Sequence, residues 1–367
     1  MTKVCYVSPL SIHSYRWIEA LYHRGYGISL ITDRQTWVAP EIHFIPMYTL
    51  PGLDRINLLW RSMPNMTKIA MILKQISPDF VHLHVQYYYM PPIIIRGLPF
   101  ILTSWGTEVL ELPYSNIFTR GLAKIVAAKA RSITVDAECV KKIWISLGAP
   151  ETEVEVIPFG VDTNLFNPNV DGRSTRQQLQ IEKEDIVVIS TRPFYNNDHY
   201  NLQCLIKTIP SVLENHEDVK FIIKGSGPLE KYLKKLAEKS GIIQHVRFVG
   251  LVPHRKMAQL LSAADIYVST CLVDSTSVSL LEAMACQLAP ITTDIPGNRE
   301  WIKDGVNGLL YPPKNNAMLA EKIIHMVENP KLRRAFGQRC VRIIKKRATW
   351  ENCVSRMQAI YEKLARR

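Results

Sequence analysis

Short apolar runs and longer amphipathic stretches alternate along the first half of the chain. The runs Val4–Ser8, Ile28–Thr32, Val81–Val85, Phe100–Thr103 and Ile133–Asp136 read as buried strands. Between them, Ser14–Arg24, Leu58–Gln75, Gly121–Ala130 and Glu138–Leu147 carry the apolar spacing of helices with one face on a core. Strand, helix, strand in this order predicts a parallel sheet covered by helices. The pattern breaks at Pro158–Pro168, PFGVDTNLFNP, and the polar tract Asn169–Asp185, which puts a domain boundary after Pro168. It then restarts, with strands at Ile186–Thr191, Val219–Lys224, Val246–Gly250, Ile266–Thr270 and Ile291–Thr293. Helices are predicted at Leu202–Glu214, Leu229–Ser240, Lys256–Ala264 and Ser279–Cys286. The expected fold is α/β: two Rossmann-like doubly wound domains, 1–168 and 169–349, facing a central cleft at the carboxyl ends of their strands. A last helix, within 350–367, is expected to pack back on the first domain.

Composition narrows the class. With 367 residues, 47% apolar and 21% charged, the chain can fill two ordinary cores. Seven widely spaced cysteines without a C-x-x-C pair point to a reducing compartment. The start MTKVCYVSPL enters a strand directly, and no apolar window is long enough to span a bilayer, so a cytoplasmic protein is expected. The formal charge is +12; up to Val170 there are 15 Lys/Arg against 13 Asp/Glu, and beyond it 30 against 20. Most of the surplus falls on a helical pattern between Lys331 and Arg347, which reads as a solvated face. No zinc finger, RRM pattern or basic region before heptads is present, so nucleic acid is not an expected partner.

The stretch Ala264–Glu300, ADIYVSTCLVDSTSVSLLEAMACQLAPITTDIPGNRE, carries the most chemistry. A buried strand leads into a polar loop with Asp274, and a run of Ser and Thr then opens a helix bearing Glu282 about one turn in. Free N–H groups and the positive dipole at such a helix start can receive phosphate oxygens. Glu282, ~6 Å deeper than Val278 at ~1.5 Å per residue, can accept two hydrogen bonds from a ribose diol. Asp274 can bind hydroxyls of a sugar beyond the phosphates. Ser279-x-x-Glu282 also matches a capping box, in which Glu282 would only satisfy a backbone N–H.

The acidic pair eight positions apart, followed by AMAC and TDIPGNREWIKDGVNGLL, resembles the donor signature of retaining glycosyltransferase family 4, which has the GT-B fold. The resemblance extends to VIPFGVDTNLFNP, FIIKGSGPLEKYLKKLA and VRFVGLVPHRKMAQLLSAADIYV. It implies that Arg192 neutralises the diphosphate, that the turn at Gly225 adjoins it, and that backbone near Val252 and Pro253 meets the base. The chain departs from the pattern in four places. Asp274 stands for Glu, and Ser275, Thr276 and Ser277 stand for Gly-x-Gly, which changes sugar selection. Asn197 stands where a second phosphate-binding Lys is usual, leaving Lys224 as a substitute. Pro9–Ser14 lacks the usual Gly pair, and Trp105-Gly106 replaces a His-Gly.

On the acceptor side, His13 in the loop after the first strand, His84, Trp105, Gly106 and Glu108 are candidates. The resemblance implies a retaining, metal-independent hexosyltransferase in cell-envelope, capsular or lipid-linked glycan synthesis, moving a sugar from a nucleoside diphosphate, UDP favoured, to an acceptor hydroxyl. No cofactor and no metal are expected, since no D-x-D or Cys/His ligand spacing occurs. The alternatives are a GT-B sugar-nucleotide epimerase and a non-catalytic nucleotide-sugar or glycan-binding subunit. From Arg55 to Lys142, 11 basic residues stand against five acidic ones, and INLLWRSMPNMTKIAMILKQI reads as a helix on an anionic membrane surface. Peripheral contact with the inner face of the membrane is therefore expected.

Overall fold

The structure is a computed structural model that describes residues 1–8, 11–32, 44–46, 69–84, 97–110, 117–195 and 199–366. It divides into two compact units, Met1–Pro158 with Asn352–Arg367, and Phe159–Glu351. The first thus closes before the expected boundary at Pro168, because Val161 and Phe166 belong to an apolar cluster of the second.

The sheet of the first unit runs β3-β2-β1-β4-β5-β6-β7, all parallel. Its strands are β1 (Lys3–Val7), β2 (Gly27–Thr32), β3 (Phe44–Pro46), β4 (Phe80–His84), β5 (Phe100–Ser104), β6 (Ser132–Val135) and β7 (Val154–Val156). Strands such as VCYV and FILTS are buried throughout, as expected of a parallel sheet covered on both faces. Ile69, Leu73, Val126 and Trp144 pack on one side. On the other, the helix Trp350–Ala365 places Tyr361 beside Tyr6, Tyr26 and Phe80. Strand order reverses between β1 and β4.

The second sheet runs β10-β9-β8-β11-β12-β13. It comprises β8 (Ile186–Thr191), β9 (Val219–Lys224), β10 (Val246–Val249), β11 (Ile266–Ser269), β12 (Ala289–Thr293) and β13 (Leu309–Tyr311). Its two faces carry separate apolar clusters, one around Phe221, Ile223 and Phe336, the other around Ile189, Tyr267 and Leu281. Here the order reverses between β8 and β11, the place where doubly wound sheets open a crevice at their carboxyl ends.

Several local expectations need correcting. The first helix spans Ile12–His23 rather than Ser14–Arg24, because Ser11 and Ser14 form a reciprocal cap; His13 therefore sits in a helical turn and not a loop. Of the expected membrane-surface helix, residues 69–76 are helical, with Ile69 and Leu73 in the core; Arg61 and Lys68 lie outside the described residues. No helix among the described residues is long and apolar enough to cross a membrane.

Candidate functional site

The residues with ligand-binding chemistry in the second unit gather where β8, β9 and β11 end. Arg192 directly follows β8, and its N–H donates to the Lys224 carbonyl at 3.1 Å, so the β8–β9 pairing continues one residue past the strand. Its Nη2 donates to Ser269 Oγ at 3.0 Å and Ser277 Oγ at 2.7 Å, and lies 3.0 Å from Asp274 Oδ2. That last contact is an ion pair without hydrogen-bond alignment: Oδ2, like Arg192 Nε, is buried with no hydrogen-bond partner among the described residues. Burial opposes the Arg192 charge, but Cys271, Tyr267, Asp274 and Tyr200 around it raise its pKa overall. Asp274 is the carboxylate of this set, and burial pushes the Cys271 thiol up to about 11.

The loop carrying Asp274 is held from below. Thr276 Oγ1 accepts from Trp301 Nε1 at 3.2 Å, and Gly297 in the short helix Pro296–Arg299 lies so close that a Cβ would come 2.0 Å from the Ser275 carbonyl. The helix Val278–Ala285 follows, with Ser277 as its cap, accepting from the Leu280 N–H at 3.2 Å. Ser279 is inside the helix and shares a 2.7 Å hydrogen bond with the Tyr267 hydroxyl. The capping-box alternative is thereby removed. Glu282 meets His254, its Oε1 2.8 Å from His254 Nε2.

Lys224 ends β9 half-buried; burial lowers its pKa, against the opposing charge of Glu282. After it Gly225 passes so close to β8 that a Cβ would sit 2.0 Å from the Arg192 carbonyl, which explains the glycine. Val252 is half-buried, and exposed Pro253 precedes the helix His254–Ser262. Among the described residues no three His, Cys, Asp or Glu side chains cluster as a metal site.

Both halves of the sequence match known profiles. The profile "Glycosyl transferases group 1" matches residues 171–340, and "Glycosyl transferase 4-like" matches residues 3–137. The chain belongs to this glycosyl transferase family. An uncharacterized glycosyltransferase of Methanocaldococcus jannaschii is 23% identical over 374 residues, 97% of this chain and 94% of that protein. The phosphatidylinositol N-acetylglucosaminyltransferase GPI3 subunit of Saccharomyces cerevisiae is 32% identical over 203 residues, 55% of this chain and 41% of that one. Anabaena HepE, solved with UDP-glucose, superposes with a TM-score of 0.81 at 18% identity, covering 100% of both chains. The fold is therefore GT-B.

In this glycosyl transferase the acceptor-side expectations fall in the first unit. His84 is fully buried, its ring 5.3 Å from Tyr6 and 5.8 Å from Trp105, so it has no surface to offer an acceptor. Gly106, at φ +99°, accepts from the Val109 and Leu110 N–H groups and starts the turn Thr107–Leu110 that contains Glu108. The side chains of His13 and Glu108, and Asn197, lie outside the described residues. Sequence reading missed Ser269 and His254. The signal for His254 was its place directly after Val252-Pro253, at the start of a helix.

Proposed function

We propose that this chain is a retaining glycosyltransferase moving a sugar from a nucleoside diphosphate, UDP favoured, to a hydroxyl of a lipid-linked or cell-envelope glycan acceptor. The observation carrying this reading is the convergence of a buried arginine, a lysine and a capped helix start at one strand-order reversal, with a carboxylate a turn deeper. Arg192 and Lys224 meet the diphosphate, joined by N–H groups of the helix end, and the backbone at Ser277 and Val278 meets the sugar. Glu282 receives the ribose diol, the turn at Gly225 adjoins the diphosphate, and backbone near Val252 and Pro253 borders the base. Asp274 serves the sugar and orients Arg192. In a retaining front-face displacement the departing phosphate oxygen takes the acceptor proton, so no protein nucleophile is needed. Arg192 stabilises the charge that develops as the bond breaks.

UDP-glucose in the HepE structure and the phosphatidylinositol acceptor in the yeast relative's name support this choice of donor and acceptor class. A thermal-shift panel of UDP, GDP, ADP and CMP tests it, since a ligand at 100 times its dissociation constant stabilises by ~2.7 kcal/mol. Stabilisation by UDP, with anomer-retaining transfer or slow hydrolysis of a UDP-sugar, is the expected result. Interconversion at C2 would make the chain an epimerase, and binding without turnover a non-catalytic subunit.

A further inference from the structure

His254 lies against the Glu282 carboxylate. It opens the helix His254–Ser262 behind Pro253, with the Phe166 ring 5.2 Å from its own. Its Nε2 lies 2.8 Å from Glu282 Oε1; the Glu282 side chain is 8% exposed and that of His254 30%. The other oxygen, Oε2, has no hydrogen-bond partner among the described residues. A carboxylate has about four lone-pair sites and an imidazole N–H takes one. Oε2 thus keeps both of its own, the number a vicinal diol requires.

We propose that His254 is a positioning residue for ribose recognition: by holding Oε1 it fixes the rotamer of Glu282 so that Oε2 faces the 2′- and 3′-hydroxyls. The inference rests on the nucleotide reading of Glu282 given above. Without His254 the carboxylate can swing toward Lys224, whose charge it already feels from β9. The carboxylate would then have to be reoriented each time a nucleotide binds, and preorganisation of this kind shows in affinity. The penalty falls on the diol, because a nucleotide lacking the 2′-hydroxyl uses Glu282 less.

The test measures dissociation constants of UDP and 2′-deoxy-UDP, by calorimetry on the full chain, for wild type, His254→Ala, His254→Gln, Glu282→Ala and the double variant, with melting temperature as a control. Wild type should prefer UDP by tenfold or more. His254→Ala should lose most of that preference with little change toward 2′-deoxy-UDP. His254→Gln, which retains a donor, should regain part of it. In the Glu282→Ala background, removal of His254 should change the ratio less than twofold, the mark of one residue acting through another. Equal weakening of both nucleotides in His254→Ala, or an unchanged ratio, overturns the proposal. A wild type that binds no member of the nucleotide panel overturns the ribose reading itself, and that result is visible before any variant is made.

Discussion

The two units share an architecture but differ in how they dispose of buried polar groups. In the first, one set of them is linked into a continuous chain of hydrogen bonds. Tyr6 and Tyr361 share a 2.6 Å hydroxyl contact, Tyr361 meets His82 Nδ1, His82 Nε2 meets Thr103 Oγ1 at 2.6 Å, and Thr103 meets Thr134 at 2.6 Å. This chain of bonds crosses β1, β4, β5 and β6 and ties the last helix to the sheet. In the second unit, Arg192 Nε and Asp274 Oδ2 are buried without hydrogen-bond partners, at the sheet's reversal point. A closed network holds a fold in one arrangement, whereas unmatched polar groups at a strand terminus leave a place for something else.

The largest expected effect tests the open side. Arg192→Ala should lower kcat by ~10²–10³-fold, the loss seen when one oxyanion-stabilising donor is removed, with little change in the melting of the first unit. A normal kcat with only a higher KM would reduce Arg192 to uniform binding and shift the charge stabilisation to Lys224.

Next comes the closed side. Tyr361→Phe removes the hydroxyl shared by Tyr6 and His82, and should cost about 1–3 kcal/mol by leaving a buried group unmatched. Urea unfolding should show the loss while UDP binding stays unchanged. Equal stability would mean that the network is held by its other members.

Acid sharpens the contrast further. Burial, assisted by nearby His84, holds the pKa of His82 well below the ordinary 6.5, so the folded state keeps the ring neutral. The unfolded chain binds that proton as the pH drops through about 6.5, so stability is fully present above this value and declines below it, by at most ~1.4 kcal/mol per pH unit. Melting temperatures between pH 7.5 and 5.5 should fall, and His82→Asn should flatten the dependence. An unaltered slope in that variant would place the titrating group elsewhere.

The smallest effect expected is for Ser279→Ala. Losing its bond to Tyr267 should cost about 1 kcal/mol and leave nucleotide affinity alone, because the cap belongs to Ser277. A marked drop in UDP affinity in a calorimetric titration would bring Ser279 into the phosphate site.

Among the described residues, ten of the strands could be read from their apolar runs, two of them, Ile186–Thr191 and Val219–Lys224, to the residue. The three that could not, Phe44–Pro46, Val154–Val156 and Leu309–Tyr311, are each three residues long and stand at sheet edges. An edge strand is covered on fewer sides and needs no continuous apolar stretch to announce it. In the site, Glu282 stood out as a charge on an apolar helix, whereas Arg192 was singled out only through the family resemblance. The pairings Arg192–Asp274 and His254–Glu282 were not, since each joins elements brought together only by the sheet. The capping motif misled because Ser279 has the right spacing but Ser277 reaches the helix end first.

The chain enters the second unit at Phe159 and leaves it at Glu351, and the two crossings are laced together: Val161 pairs with Thr349, and the Trp350 N–H donates to the Val161 carbonyl at 2.8 Å. The second unit is therefore an insertion within the first. On a ribosome adding about 5–20 residues per second, the 355 positions separating Tyr6 from Tyr361 represent about 20–70 s of synthesis. For the later part of that interval, once β7 has been made, the first sheet stands without its final helix, and Tyr6, His82 and Phe80 lack the contacts that Tyr361 gives them. The inserted unit, whose strands and helices follow one another without a gap, can complete itself in the meantime. The order of maturation is thus the reverse of the order of translation, and the nascent chain presents an aromatic face to chaperones until its last turns arrive.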